Sequence, residues 1–501
     1  VRWMAVLLLL ATACVPAGDI EGAVVPSPSV VEDADDTADG TLAQPELIGT
    51  TCALEPLSSE AATPAPSLLE GVDCGVVVVP ERREDPSGPV VELAWARLSV
   101  TTPREEGPFG APLVVLADGP GDAMTVELLA WASSPLRADR EVVLLDGRGA
   151  GRSFPSLDCG VPPAPGALPP DLVQDCRREL VDLGIDLDAH RTRTMAADLV
   201  DVTAALGLDR YHLLGIGHGA RVALTTLRDR PEGLQSLVLD SPLPPEVDAY
   251  AERPANAQAA LNRLFDECAQ TPACAAAFGE LREPTDQLVR DLDRPSSGVD
   301  TEPGVSGTDL VRAVVAAMRG ADGPAAVPAA LSVAVEDPAE AMVRLQEAAV
   351  GGATVPDSPF AEGVLLSSDC ADELPLAGNG PDLDGLGPVG LAVAEDVTAV
   401  RVACGIWDVT PAGPEAGNPI ARDVPTLVLT GEFDPLSPPS WGAAVAARMP
   451  RGQVVQVDGA GHRVHDVDNC TIAIVAEFLR RPTRPMNDAC ATDRVVDFRL
   501  G

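Results

Sequence analysis

Tyr211-His212-Leu213-Leu214-Gly215-Ile216-Gly217-His218-Gly219-Ala220-Arg221 decides how the chain is read. An apolar run of strand length enters a Gly-x-Gly-x-Gly turn and leaves directly as a helix, His218 to about Leu227. Such a strand–turn–helix holds its middle residue at the tip of a sharp bend, and the flanking glycines let strand and helix pack closely. In Gly-x-Ser-x-Gly that tip carries a nucleophilic serine. Here it carries Gly217.

The surrounding elements repeat one texture. Short apolar runs of buried type occur at Leu113–Leu116, Val142–Leu145, Tyr211–Leu214 and Leu237–Leu239. Helical stretches such as Thr194–Leu206, closed by Gly207, separate several of them, which indicates a mostly parallel sheet. Val76–Val79 and Val90–Val100 flank Pro86-Ser87-Gly88-Pro89 and read as a hairpin. From about 244 to 414 the chain turns helical and alanine-rich, with Asn256–Gly279 and Thr308–Arg319 as examples. Strand texture resumes at Pro425–Thr430 and Gln453–Val457, followed by a helix at Thr471–Arg480.

Two further motifs fall where a hydrolytic site on this sheet needs them. Leu429-Thr430-Gly431-Glu432-Phe433-Asp434-Pro435 sets Asp434 just past a strand end, as the acid. Gly459-Ala460-Gly461-His462 follows the next strand and supplies the base. The order of nucleophile position, Asp and His is that of the α/β-hydrolases. Asp118-Gly119-Pro120-Gly121 follows Leu113–Leu116. The backbone N–H of Gly119, with that of His218, is therefore expected to face a developing oxyanion.

With these motifs the chain resembles the secreted tripeptidyl- and prolyl-aminopeptidase-like α/β-hydrolases over about residues 52 to 499. The resemblance rests also on Asp146-Gly147-Arg148-Gly149-Ala150-Gly151-Arg152-Ser153, Leu237-Val238-Leu239-Asp240-Ser241, Cys370-Ala371-Asp372-Glu373 and Cys404-Gly405-Ile406-Trp407. It implies an α/β-hydrolase core (52–243 and 415–501) with an inserted helical cap (244–414), acting on peptide N-termini or small amides and esters. No cofactor or metal is expected, since no CxxC pair with matching His spacing occurs. An acidic group in the family's cap binds the substrate amine, and Asp372 and Glu373 are the candidates here. The family has Gly-Gly-Pro-Gly where this chain has Asp118-Gly119-Pro120-Gly121, and Ser where it has Gly217. Glycine has no attacking atom, so no acyl-enzyme forms by the usual route. Loss of a triad member leaves about 10³–10⁴-fold catalysis over water.

Three readings compete: a nucleophile-less homologue that binds peptides or small ligands, a hydrolase using His462 and Asp434 with water or another hydroxyl, and a non-catalytic protein of the cell envelope. A serine introduced at position 217 is expected to restore hydrolysis if the oxyanion loop, Asp434 and His462 keep their register. Ser153 reads as structural, Asp146 and Arg148 as braces, His190 and His212 as packing or solvent residues, and His465 as surface loop. His218 reads as a polar wall residue, with positioning of water as its alternative role.

Composition narrows the partners. The 501 residues carry a net charge of −41, all of the basic side chains being arginine. That charge repels nucleic acid and anionic lipid, and 3% aromatics offers few stacking platforms. Arg2, the apolar run Ala5–Leu10 and Ala11-Thr12-Ala13-Cys14 read as a signal peptide (1–13) ending at a lipidated Cys14. Residues 14–51 read as an acidic flexible tether, eight acids and no base lying between 15 and 50. The expectation is export, with membrane attachment only through that anchor. Ten further cysteines suit disulfides. Their spacing suggests sequential neighbours, Cys52–Cys74, Cys159–Cys176, Cys268–Cys274, Cys370–Cys404 and Cys470–Cys490, among many possible pairings.

Overall fold

The computed structural model describes residues 45–52, 70–102, 110–160, 169–228, 232–294, 305–320, 323–350, 360–376, 378 and 380–500. The expected signal peptide, Cys14 and nearly all of the tether lie outside them. Among the described residues nine strands form one sheet: β1 (Glu46–Thr50), β2 (Val72–Pro80), β3 (Val90–Leu98), β4 (Leu113–Leu116), β5 (Val142–Leu145), β6 (Tyr211–Ile216), β7 (Leu234–Asp240), β8 (Thr426–Gly431) and β9 (Gly452–Val457). The spatial order is β1-β2-β3-β5-β4-β6-β7-β8-β9. Antiparallel pairing joins β1 to β2, β2 to β3 and β3 to β5; every pair from β5 through β9 is parallel.

The apolar runs form strands because each face of the sheet has its own core. Val114, Leu116, Val143, Leu145, Leu213, Leu237, Leu239 and Val428 enter one cluster. Their immediate neighbours Leu113, Val115, Val142, Leu144, Leu214, Val238, Leu427 and Leu429 enter the other. Alternate side chains of a strand point to opposite faces, so strands covered on both sides must be apolar throughout. The helices His218–Arg228 and Thr192–Ala205 cover the first face, and Asn469–Arg480 covers the second.

Helices between Ala249 and Trp407 have a core of their own, built on Leu261, Leu264, Leu310, Val314, Leu331 and Leu345. Phe433, beside Asp434, and Val496 and Phe498 near the C-terminus are buried in that same cluster. The acid-bearing loop is thereby packed against the cap. Among the described residues no helix is long and apolar enough to cross a membrane.

Two details differ from the sequence reading. Glu46–Thr50, expected within the tether, pairs along β2 as an exposed edge strand. The helix expected over 256–279 is two, Ala249–Gln270 and Pro272–Phe278. Pro272 pushes Thr271 into an extended conformation, which ends the first helix and starts the second. All five sequential disulfides are present.

The loop after β5 is held by buried polar contacts. Asp146 accepts from Thr125 N at 2.8 Å, Thr125 Oγ1 at 2.6 Å and Arg152 N at 3.0 Å. Ser153 Oγ accepts from Ala94 N, so it serves the backbone as expected. Arg148, fully buried, donates through Nε and Nη2 to the two oxygens of Asp198 at 2.7 and 2.6 Å, and through Nη1 to the carbonyls of Glu81 and Ala189. Removing one partner of such a pair strands a buried charge. Arg148→Ala should therefore lower unfolding free energy by about 3–5 kcal/mol, read as a lower denaturant midpoint at unchanged slope. Arg148→Lys should recover only part of the loss, since an ammonium lacks the planar fork.

Candidate active site

Gly217 stands at the end of β6 with φ +48°, between Ile216 and the first residue of the helix His218–Arg228. Its N–H donates to Asp240 O at 2.9 Å, which ties the tip of the turn to β7. Glycine meets no penalty in this left-handed conformation. Gly219 is needed for space: a Cβ there would lie 2.4 Å from Ala117 O. The turn thus has the geometry expected from its sequence.

Asp434 and His462 also meet. Asp434, fully buried past β8, accepts from Leu436 N at 2.8 Å and Ser437 N at 2.9 Å through Oδ1. Its Oδ2 lies 2.7 Å from His462 Nδ1. The other ring nitrogen is also engaged: His462 Nε2 lies 3.0 Å from Asp118 Oδ1. This contact is absent from the sequence reading, which treated residue 118 only as part of the oxyanion loop. A Cβ built on Gly217 would stand 2.0 Å from that same Asp118 Oδ1. The carboxylate of Asp118 therefore fills the space into which a side chain at 217 would project. Its Oδ2 accepts from Arg319 Nη2, at the end of the cap helix Gly307–Arg319, at 3.2 Å.

Electrostatics fix the proton inventory. Burial disfavours a charged ring at His462, but Asp434 and Asp118 outweigh it and push the imidazole up to about 10. Burial likewise opposes charge on Asp118, yet His462 and Arg319 hold its carboxyl well below the usual range. At neutral pH the arrangement is carboxylate–imidazolium–carboxylate, with both ring nitrogens donating. A ring that already holds both protons has no lone pair with which to accept one from a nucleophile.

The amides expected at the oxyanion hole are engaged internally. Gly119 N donates to Asp122 Oδ2 at 2.8 Å, and His218 N donates to Asp118 O at 2.7 Å. The His218 ring is buried, 3.1 Å from Thr192 Oγ1 and 3.2 Å from Ser368 Oγ. Burial and the charge of Arg221 lower its pKa to about 3, so it is neutral. Asp372 accepts from Thr192 N at 2.8 Å, while Glu373 faces Arg221 at 2.8 Å. Burial raises the Glu373 carboxyl to about 8, Arg221 opposing it and Asp369 and Asp372 adding to it. Both residues are buried.

His465, expected on a surface loop, is instead buried. Its Nδ1 lies 2.7 Å from Asp240 Oδ2 and its ring stacks on Trp131 with centroids 5.7 Å apart. The carboxylate of Asp240, reaching across from β7, draws the segment inward through Val464 N and His465 N as well. His190 and His212 are packing residues, both buried.

The elevated folded-state value of His462 makes its contribution pH-dependent. In the unfolded chain the ring titrates near 6.5, so the stabilisation is complete below that pH and disappears as pH rises through about 10. Thermal midpoints of the wild type should fall between pH 7 and 10, and the fall should shrink in Asp118→Asn, which removes one of the two anions. In NMR titration the His462 ring should remain protonated at pH 8 in the wild type and shift to lower pKa in that variant.

Comparison with known proteins shows what the chain is similar to. The "alpha/beta hydrolase fold" family matches residues 113–285 and the "TAP-like protein" family matches residues 391–491. Serine protease Hip1 of Mycobacterium tuberculosis is 24% identical over 479 residues, which cover 86% of this chain and 89% of that protein. Proline iminopeptidase of Lactobacillus delbrueckii subsp. bulgaricus is 31% identical over 135 residues, 26% of this chain and 36% of that protein. Among solved structures, the proline iminopeptidase of Mycobacterium smegmatis aligns over 81% of this chain and 98% of that one, with 20% identity and a TM-score of 0.38. The chain has an α/β-hydrolase fold and is similar, over these stretches, to TAP-like proteins and to peptidases of that fold.

Proposed function

We propose that this chain is an exported TAP-like peptidase homologue that recognises peptides or small amide-like ligands without forming an acyl-enzyme. One observation carries the reading: Asp118 Oδ1 occupies the space of a side chain at 217 and binds His462 Nε2. Serine hydrolysis needs a hydroxyl at that place and a neutral imidazole beside it. Here the place holds an anion, and the anion itself stabilises the protonated ring. A water-based mechanism meets the same obstacle, since His462 would have to give up a proton before it could accept one.

Recognition of peptides is supported by the kinship with Hip1 and proline iminopeptidase, one a serine protease and the other a peptidase by name. Asp372 and Glu373 remain the proposed amine-binding pair. Export and attachment through Cys14 are supported by the N-terminal sequence and by the five disulfides, which persist in oxidising compartments.

The closeness of residues 118 and 217 changes the expected repair. Gly217→Ser alone brings its Cβ into Asp118 and leaves the imidazolium in place. Asp118→Gly alone frees the ring but supplies no nucleophile. The double variant Asp118→Gly, Gly217→Ser should react with a fluorophosphonate probe at the introduced serine and hydrolyse aminoacyl p-nitroanilides, while the wild type and both single variants stay unreactive. Labelling of the wild type at any serine, or full activity in Gly217→Ser, overturns the reading.

A further inference from the structure

Away from His462, the start of the helix Thr192–Ala205, the outward half of the helix His218–Arg228 and the returning segment 412–422 enclose a cavity of about 390 Å³. Arg191, Arg193, Arg221, Arg228 and Arg422 line it, against two acids, Asp372 and Glu415. Five arginines around one cavity are out of keeping with a chain of net charge −41.

The local pairings leave this charge partly uncompensated. Arg191 faces Asp188, so that guanidinium group is matched, whereas Arg221 faces Glu373, whose carboxyl is held toward the protonated form by burial. Arg422 donates through Nη1 and Nη2 to the carbonyl oxygens of Ala421 and Arg228, and its buried Nε has no hydrogen-bond partner among the described residues. Carbonyl oxygens orient the Arg422 guanidinium but do not neutralise it. Arg228 donates to the carbonyls of Ala416 and Asn418. Arg193 is exposed at the rim. Asp372, which accepts from Thr192 N, and Glu415 offset part of this charge.

We infer that this cavity is a binding site for a compact polyanion bearing phosphate or carboxylate groups. Guanidinium forks match the paired oxygens of both groups, and several forks around one volume favour more than one negative charge. A volume of about 390 Å³ is of the size that takes a metabolite-sized ligand. Thr192, in the lining, meets His218 through Oγ1, so the site adjoins the residue that follows Gly217. The inference does not depend on whether the hydrolytic site is active.

Calorimetric titration of the full chain with inorganic pyrophosphate and with citrate, each at constant ionic strength against potassium chloride, tests the assignment. At least one anion should bind saturably and raise the thermal midpoint. Pyrophosphate alone would identify a phosphate ligand and citrate alone a carboxylate ligand. Arg193→Gln and Arg422→Gln should each weaken binding about tenfold, the scale of one charge-assisted hydrogen bond. Arg193 is exposed, so its substitution keeps the test valid even if Arg422→Gln fails to fold. Arg481→Gln, at the exposed end of the helix Asn469–Arg480, should leave the affinity unchanged. Absence of saturable binding, affinity indifferent to Arg193, or loss of binding in Arg481→Gln overturns the inference.

Discussion

The His462 imidazolium, held at 2.7 Å by Asp434 and at 3.0 Å by Asp118, joins segments that are far apart in the chain. Asp118 comes from the loop after β4, Asp434 from the loop after β8, and His462 from the loop after β9, while Arg319 reaches the same cluster from the cap. Removing ionic groups from water is costly, and the arrangement offsets that cost by alternating charges at hydrogen-bond distance. The ring is positive because it lies between two anions, and Asp118 stays ionised because it lies between two cations. Each protonation state depends on the others.

Gly217 is the spatial condition for this cluster. With any larger residue there, a Cβ 2.0 Å from Asp118 Oδ1 would force the carboxylate away from His462. Positions 118 and 217 are thus coupled, because the carboxylate at 118 occupies the space that a side chain at 217 would need. On the proposed reading, the scaffold of a serine peptidase persists while its reactive centre has become an ion-pair cluster. Persistence of the scaffold is physically reasonable, since the two cores on either face of the sheet and the cap core contain neither residue.

Much of the fold was legible before any coordinates. Strands such as Val142–Leu145 are short, fully apolar and bounded by turns, and both-face burial requires that pattern. The glycines at 215, 217 and 219 announced the sharp turn, and Asp434 and His462 could be placed because each directly follows a strand. Other features were hidden. Asp118 read as a loop residue because nothing nearby in sequence shows that its side chain points at residue 217. His465 read as surface because its partner, Asp240, lies more than two hundred positions away. The arginines at 191, 193, 221, 228 and 422 are ordinary singly, and only the packing of two helices against segment 412–422 brings them around one cavity.

The sequence by itself determined the sheet, the cap insertion, the turn at Gly217 and the absence of a hydroxyl there. These follow from local periodicity, from turn chemistry and from residue identity, all of which are properties of neighbours along the chain. Tertiary structure alone decided what took the hydroxyl's place and which proton state His462 holds. Those depend on distances between loops after different strands, and on charges whose strength is set by burial. A linear sequence encodes both but displays neither.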